Sequence, residues 1–256
     1  YKAAPAVVVM TQANGSKVSQ AAAKEFQKLA DAYKAKGVVF LMMNSEAGVT
    51  REKVGAEMKK LGLTVPVMVD ELQLVGANLG VKREAEVFVF DTKTWNVAYH
   101  GPLDDRFAKA SVNASAAAKT RFAADAVDAL IAGQPVKTAR VEVKAGKTIA
   151  FPDRDARASH VNISYAKDVA PIIVENCASC HAEGGIAPFA MNTYEVVKGF
   201  APMIRESVRT DRMPPYFADP HIGEFKYDQA MTPAETKTLI HWIEAGAPRG
   251  DGPDVL

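Results

Sequence analysis

Three residues carry the most specific chemistry in the chain: Cys177, Cys180 and His181, in the run Asn176-Cys177-Ala178-Ser179-Cys180-His181. Two thiols three positions apart at the end of a helix can add to the two vinyl groups of one haem. The next residue then lies under the iron and offers an imidazole. Cys-x-x-Cys-His is the spacing of covalent c-type attachment, so one covalent haem c is the expected cofactor. Two other chemistries use the same residue types. Zinc wants about four ligands, and no second cysteine pair exists, because the chain has only two cysteines. A redox dithiol belongs in an α/β setting, whereas this motif sits among short helical signals. The spacing also excludes a disulfide framework.

A sixth ligand must come from elsewhere, and methionine commonly stands opposite histidine in electron-carrying haems. Met191, Met203, Met213, Met231, His221 and His241 lie downstream. Met213 is favoured, because Arg212-Met213-Pro214-Pro215-Tyr216 places two φ-restricted residues after it. His221, next to a proline, is the runner-up. The other methionines read as core packing, and His241 falls inside a helix. A ligand histidine usually passes its second N–H to a carbonyl, and the turn Gly184–Phe189 puts one near Pro188. Arg212 is a candidate partner for a haem propionate, with a solvated surface role as the alternative.

The elements that must hold these residues fall into two halves. The stretch Phe151–His160 is polar and aperiodic and reads as a linker, giving boundaries of 1–150, 151–162 and 163–256. Charge follows the division: residues 161–256 hold 8 Lys and Arg against 13 Asp and Glu, while the remainder holds 23 against 17. The net charge of +1 gives no case for nucleic-acid binding. No apolar run approaches the ~20 residues that span a bilayer. Tyr1 stands first without a basic-then-apolar stretch, so the expectation is a removed targeting segment and a periplasmic or other extracytoplasmic protein, or else a start inside a longer gene product.

In the first half, apolar runs at Ala6–Met10, Val38–Met43, Val65–Val69 and Glu86–Phe90 predict strands, with Trp95–Tyr99 pairing the last as a hairpin. Helical spacing predicts helices over Ser19–Lys36 and Thr50–Leu61, and an Ala-rich helix over Asn113–Ala132 closed by Gly133. The alternation argues for an α/β domain with a partly parallel sheet. The second half predicts short helices: Asp168–Cys180, one opened by an Asn192/Glu195 capping box, and one opened by Thr232-Pro233-Ala234-Glu235 and ended by Gly246.

The second half resembles a bacterial class of monohaem cytochrome c domain across nearly all of residues 163–250. The matching blocks are DVAPIIVENCASCHAEGGIAPF, the segment from Tyr194 through APMIRESVRTDRMPPY, and MTPAETKTLIHWIEAGAP. The resemblance implies an all-α cytochrome fold, His181 and Met213 as axial ligands, and electron transfer. The first half resembles a thioredoxin or peroxiredoxin-like domain over roughly residues 4–150, through VPVMVDELQLVGANLGV, EVFVFD and VAYHGPLDDRF. It departs from that family where the family carries its cysteines: Thr11-Gln12-Ala13-Asn14-Gly15-Ser16 has no thiol, and Glu84-Ala85-Glu86 stands in place of a cis-proline. Thiolate chemistry is therefore excluded there.

Three functions follow as expectations. The first is an electron-transfer protein or subunit whose thioredoxin-like half docks on a redox partner or a larger membrane-associated, respiratory-type complex. The second is a haem enzyme, such as a peroxidase, with a labile or vacant sixth position. The third is a structural subunit with a vestigial haem.

Overall fold

A computed structural model describes residues 3–215, 219, 222–223, 225–226, 230–254 and 256. The chain divides into two compact units, Tyr1–Phe151 and Pro152–Leu256.

The first unit is built on a five-stranded sheet of order β3-β2-β1-β4-β5. Strand β1 (Ala6–Gln12) is central and buried along its whole length. It runs parallel to β2 (Val39–Asn44), which runs parallel to β3 (Val67–Val69). On its other side it pairs antiparallel with β4 (Glu86–Asp91), which forms a hairpin with β5 (Asn96–Pro102). Side chains alternate across a strand, and β1 uses both faces. Ala6, Val8 and Met10 pack with Phe26 of α1 (Lys17–Tyr33), Val54 and Met58 of α2 (Arg51–Leu61), and Ala123 and Val127 of α4 (Phe122–Ile131). Val7 and Val9 pack on the opposite side with Ile149, Phe151 and residues Ala77 and Leu79 of α3 (Leu74–Leu79). A sheet covered on both sides explains why its strands read as apolar runs rather than as alternation. Complete burial of a ring such as Phe26 stabilises by about 1.5–3 kcal/mol.

Two sequence expectations change here. The Ala-rich helix begins at Phe122, not Asn113. Its expected first half spends its backbone groups on side chains instead. Asp105 accepts from the N–H groups of Lys119 and Thr120, and Arg106 donates to the carbonyls of Ala114 and Ala116. Those contacts replace the i→i−4 ladder that alanine propensity alone would favour. Helix α3 gave no sequence signal, because it spans six residues and contains Gly76. That glycine is required: a Cβ there would stand 2.6 Å from Ser45 Oγ and 2.7 Å from the Phe151 ring.

The second unit is helical, with no strand among its described residues: α5 (Pro152–Asp155), 3-10 segment Arg157–Asn162, a π-turn Tyr165–Val169 running into α6 (Ala170–Asn176), α7 (Tyr194–Gly199), α8 (Ala201–Arg209) and α9 (Pro233–Glu244). The expected linker is thus occupied by helical turns, and Asp153 and His160 within it contact Lys237 and His241 of α9. The expected helix Asp168–Cys180 stops at Asn176. The cap of α7 is Thr193, one residue beyond Asn192, with its side chain accepting from Val196 N. The box at α9 forms in both directions: Thr232 Oγ1 accepts from Glu235 N at 3.2 Å, and Thr232 N donates to Glu235 Oε2 at 2.7 Å. Tyr165, Tyr194 and Trp242 meet in an aromatic cluster. Asp254 fastens that cluster, accepting from Tyr165 Oη at 2.8 Å and Tyr194 N at 2.6 Å.

Candidate haem-attachment site

Helix α6 delivers the cysteine pair. Ile172 and Ile173 bury one side of it, and its last turn closes where Cys177 N and Ala178 N both donate to the Ile173 carbonyl at 2.9 Å. The chain continues in tight turns, with Cys180 N and His181 N both donating to the Cys177 carbonyl. Both cysteines are free thiols and partly exposed. Burial pushes the Cys177 thiol up to about 11. A thiol held protonated is a poor exchange nucleophile and a poor zinc ligand at neutral pH. Among the described residues, no group of three or more His, Cys, Asp and Glu is arranged to hold a metal ion.

His181 is 7 % exposed, and its ring is oriented from two sides. Nδ1 lies 2.8 Å from the carbonyl oxygen of Phe189, the residue after Pro188, a contact that needs Nδ1–H as donor and leaves Nε2 as the acceptor of the neutral ring. The Phe189 ring stands edge-on to the imidazole at 4.8 Å and stacks on Phe200 at 4.0 Å. The loop between His181 and Phe189 is pulled back on itself: Gly185 N donates to Ala182 O, Ala187 N to Cys180 O, and Met191 N to His181 O. Gly185 permits this, since a Cβ there would lie 2.5 Å from the Cys180 carbonyl. Beside this turn Ile186 is 84 % exposed, and Val174, Phe200 and Met203 are exposed as well. Two unpaired thiols, an imidazole aimed by its other nitrogen and apolar side chains in solvent form a donor set and surface that fit a covalently tethered haem.

The remaining candidates are more dispersed. Met213 follows α8, is 39 % exposed, and its backbone N–H reaches the Ser207 carbonyl at 3.3 Å. Arg212 is engaged locally, with Nη2 2.8 Å from Glu206 Oε1 and Nε 3.0 Å from Thr210 Oγ1. Met191 is buried. His241 stacks on His160 within α9's surroundings. His221 and Tyr216 lie outside the described residues. Phe189 was missed as a positioning residue. Its only sequence signal was its place at the end of a Gly- and Pro-containing turn.

In the first unit, the loop after β1 and the start of β4 meet around a carboxylate. Glu84 is 1 % exposed. It accepts from Ser16 Oγ at 2.8 Å, Ser19 Oγ at 2.5 Å and Lys147 N at 2.6 Å. Gly146, with φ +70°, leaves the room, since a Cβ there would sit on the Glu84 side chain. Ala85 takes φ +59° and donates its N–H to the Thr11 carbonyl, while Glu86 N donates to Thr11 Oγ1. Glu46 bridges the loop to Lys147, with Oε2 on Asn14 N and Oε1 on Lys147 Nζ, each at 2.5 Å. Hydroxyls and carboxylates fill the region, and it holds no nucleophilic sulfur.

Residues 1–118 match the family model described as Redoxin. The first unit thus contains a redoxin domain, thioredoxin-like in fold. Solved structures are similar to part of the chain as well. A hypothetical protein from Sinorhizobium meliloti 1021 is 27 % identical with a TM-score of 0.50, covering 58 % of this chain and 80 % of its own. An uncharacterized conserved protein from Geobacillus kaustophilus is 26 % identical, with 0.48 and coverage of 57 % and 77 %. A thioredoxin-like protein solved in its oxidized form is 11 % identical, with 0.39 and coverage of 50 % and 79 %. No curated protein matches the chain. The domain holds no cysteine, since both lie in the second unit, and its five-stranded mixed sheet is complete. No helix of the described residues is long and apolar enough to cross a membrane.

Proposed function

We propose that the chain is an electron-transfer protein working outside the cytoplasm. It would carry one covalent haem c on the second unit, and the redoxin domain would serve as a docking or scaffold module. The observation that carries this reading is the orientation of His181: its Nδ1 is held by the Phe189 carbonyl at 2.8 Å, directly after a pair of thiols at the attachment spacing. Cys177 and Cys180 would tether the group through their sulfurs, and His181 and Met213 would be the protein ligands of its iron. Bound haem would supply a one-electron couple.

What the chain's own residues do is position and exclude. The Phe189 carbonyl holds the imidazole in one tautomer and raises its basicity as a ligand. Phe189 and Phe200 shield one side of the ring from water. Met213 as second ligand would leave no open position for substrate, which favours carriage over catalysis. The redoxin domain contributes no redox group, but its residues and those of the second unit differ in net charge, +6 against −5. Opposite charge on two modules suits partners of opposite sign and speeds encounter.

Visible spectroscopy of the purified protein tests the reading. Low-spin spectra in both oxidation states are expected, with a weak far-red ferric band from methionine that Met213→Ala removes. A high-spin ferric spectrum in the unaltered protein would replace this reading with a haem enzyme that has a vacant sixth position. Protein without covalent haem after export-competent expression would end both.

A further inference from the structure

Three guanidinium groups converge on one carboxylate where α8, α9 and the segment Arg157–Asn162 meet. Arg157 Nη2 stands 3.7 Å from Glu244 Oε2, and Arg205 Nη1 and Arg209 Nη1 stand 3.7 and 3.5 Å from Glu244 Oε1. At those separations the attraction is coulombic rather than a well-formed hydrogen bond. Each guanidinium offers five N–H donors, and none of the three makes a side-chain hydrogen bond to a described residue. Arg205 and Arg209 are four apart on one face of α8, an arrangement in which like charges repel. One carboxylate offsets one of three positive charges, leaving about two uncompensated. The nearby acids are taken: Glu206 by Arg212, Asp153 by Lys237, and Asp155 by Arg154. This concentration of cations occurs in the unit whose net charge is negative.

We propose that Arg157, Arg205 and Arg209 form a binding site for a polyvalent oxyanion of the phosphate class, with Glu244 as an internal competitor for the same donors. Guanidinium forks match phosphate oxygens in pairs, and such bonds are the strong, charge-assisted kind. Geometry allows entry. Arg157 and Arg205 are half-exposed at the rim, while Arg209 and Glu244 lie deeper. An arriving dianion would draw the rim guanidiniums inward and take up the two unmatched charges. The site is independent of the haem reading and uses none of its residues.

Calorimetric titration of the full chain with inorganic pyrophosphate tests the proposal, with circular dichroism to establish folding of every variant. The unaltered chain should bind. Arg205→Gln with Arg209→Gln should weaken binding about tenfold or more, as expected when two charge-assisted contacts go. If that pair fails to fold, the rim substitution Arg157→Gln should weaken binding severalfold. Glu244→Gln should tighten binding severalfold, because the competing carboxylate is gone. A purely structural hub gives the opposite pattern, in which Glu244→Gln lowers thermal stability and leaves affinity unchanged. Lys167→Gln with Lys198→Gln removes the same charge elsewhere and should leave affinity unaltered. Equal loss in that control would reduce the effect to diffuse attraction and overturn the site, as would no titratable binding by the unaltered chain.

Discussion

The loop after β1 and the turn after α6 each follow an element of their own unit, β1 buried along its whole length and α6 buried on one side. Their chemistry is opposed. At the first, Thr11–Ser16 has no sulfur, and the carboxylates around it face internal partners: Glu84 takes two hydroxyls and a backbone N–H, and Glu46 takes Lys147, while Gln12 Nε2 and Asn14 Oδ1 are buried without a partner. At the second, two thiols form no disulfide, and only Nδ1 of the imidazole has a hydrogen-bond partner among the described residues. The two loops thus differ in which groups stay uncommitted, amide atoms at the first and sulfur with an imidazole at the second. The redoxin sheet beside the first loop is stabilised through both apolar faces of β1.

The sharpest way to break this comparison is to remove the second unit's thiols. Cys177→Ser with Cys180→Ser should abolish covalent haem entirely, read by haem staining after denaturing electrophoresis, while the thermal transition of the redoxin domain stays in place. Haem retained through denaturation would show that the thiols are not the anchor. A second test asks whether Cys177 is the inert thiol its burial implies. Its pKa of about 11, against an ordinary thiol near 9, reduces the thiolate at pH 8 about a hundred-fold. In haem-free chain, alkylation followed by mass spectrometry should find Cys177 about tenfold slower than an unhindered cysteine, because the greater nucleophilicity of a high-pKa thiolate offsets part of its scarcity. The raised value also means that folded-state stability, complete below pH 9, falls as pH rises toward 11. Equal alkylation rates would remove the argument against a redox dithiol.

The redoxin side is tested at Glu84. Glu84→Ala leaves Ser16 Oγ, Ser19 Oγ and Lys147 N without their acceptor in a buried place. Loss of one such partner costs about 1–3 kcal/mol, so denaturant unfolding of the first unit should show a loss of about 2 kcal/mol or more, with the haem spectrum unmoved. An unchanged midpoint would mean that the network is ornamental, and the contrast between the two loops would lose its energetic content.

How much of this was legible in the sequence depends on how local the physics is. The strands could be read because an apolar run buried on both faces needs no partner to be recognised. The sulfur-and-imidazole turn stands out because its three residues lie within five positions, and haem attachment there is the proposal made above. The start of α4 could not: alanine propensity over 113–121 is overridden by Asp105 and Arg106, which are distant enough in sequence to be invisible to a helical window. Nor could Glu84 be seen, since its donors lie 63 to 68 residues away. The second axial ligand is a problem of the same kind. Met213 was preferred for its prolines, but ligation depends on a contact across the unit that spacing does not encode.

The smallest test compares caps, because both units open a helix with the same device. Thr232 caps α9 through Glu235 N and receives Glu235 in return, all at an exposed helix start. Thr232→Ala should cost about 1 kcal/mol, seen as a modest shift in the second unit's unfolding midpoint. Ser16 caps α1 through Ser19 N but also donates to buried Glu84. Ser16→Ala should therefore cost more than Thr232→Ala, by the share that Glu84 loses. If the two substitutions cost the same, Glu84 draws nothing from Ser16, and the first loop is held by its backbone contacts rather than by the buried carboxylate.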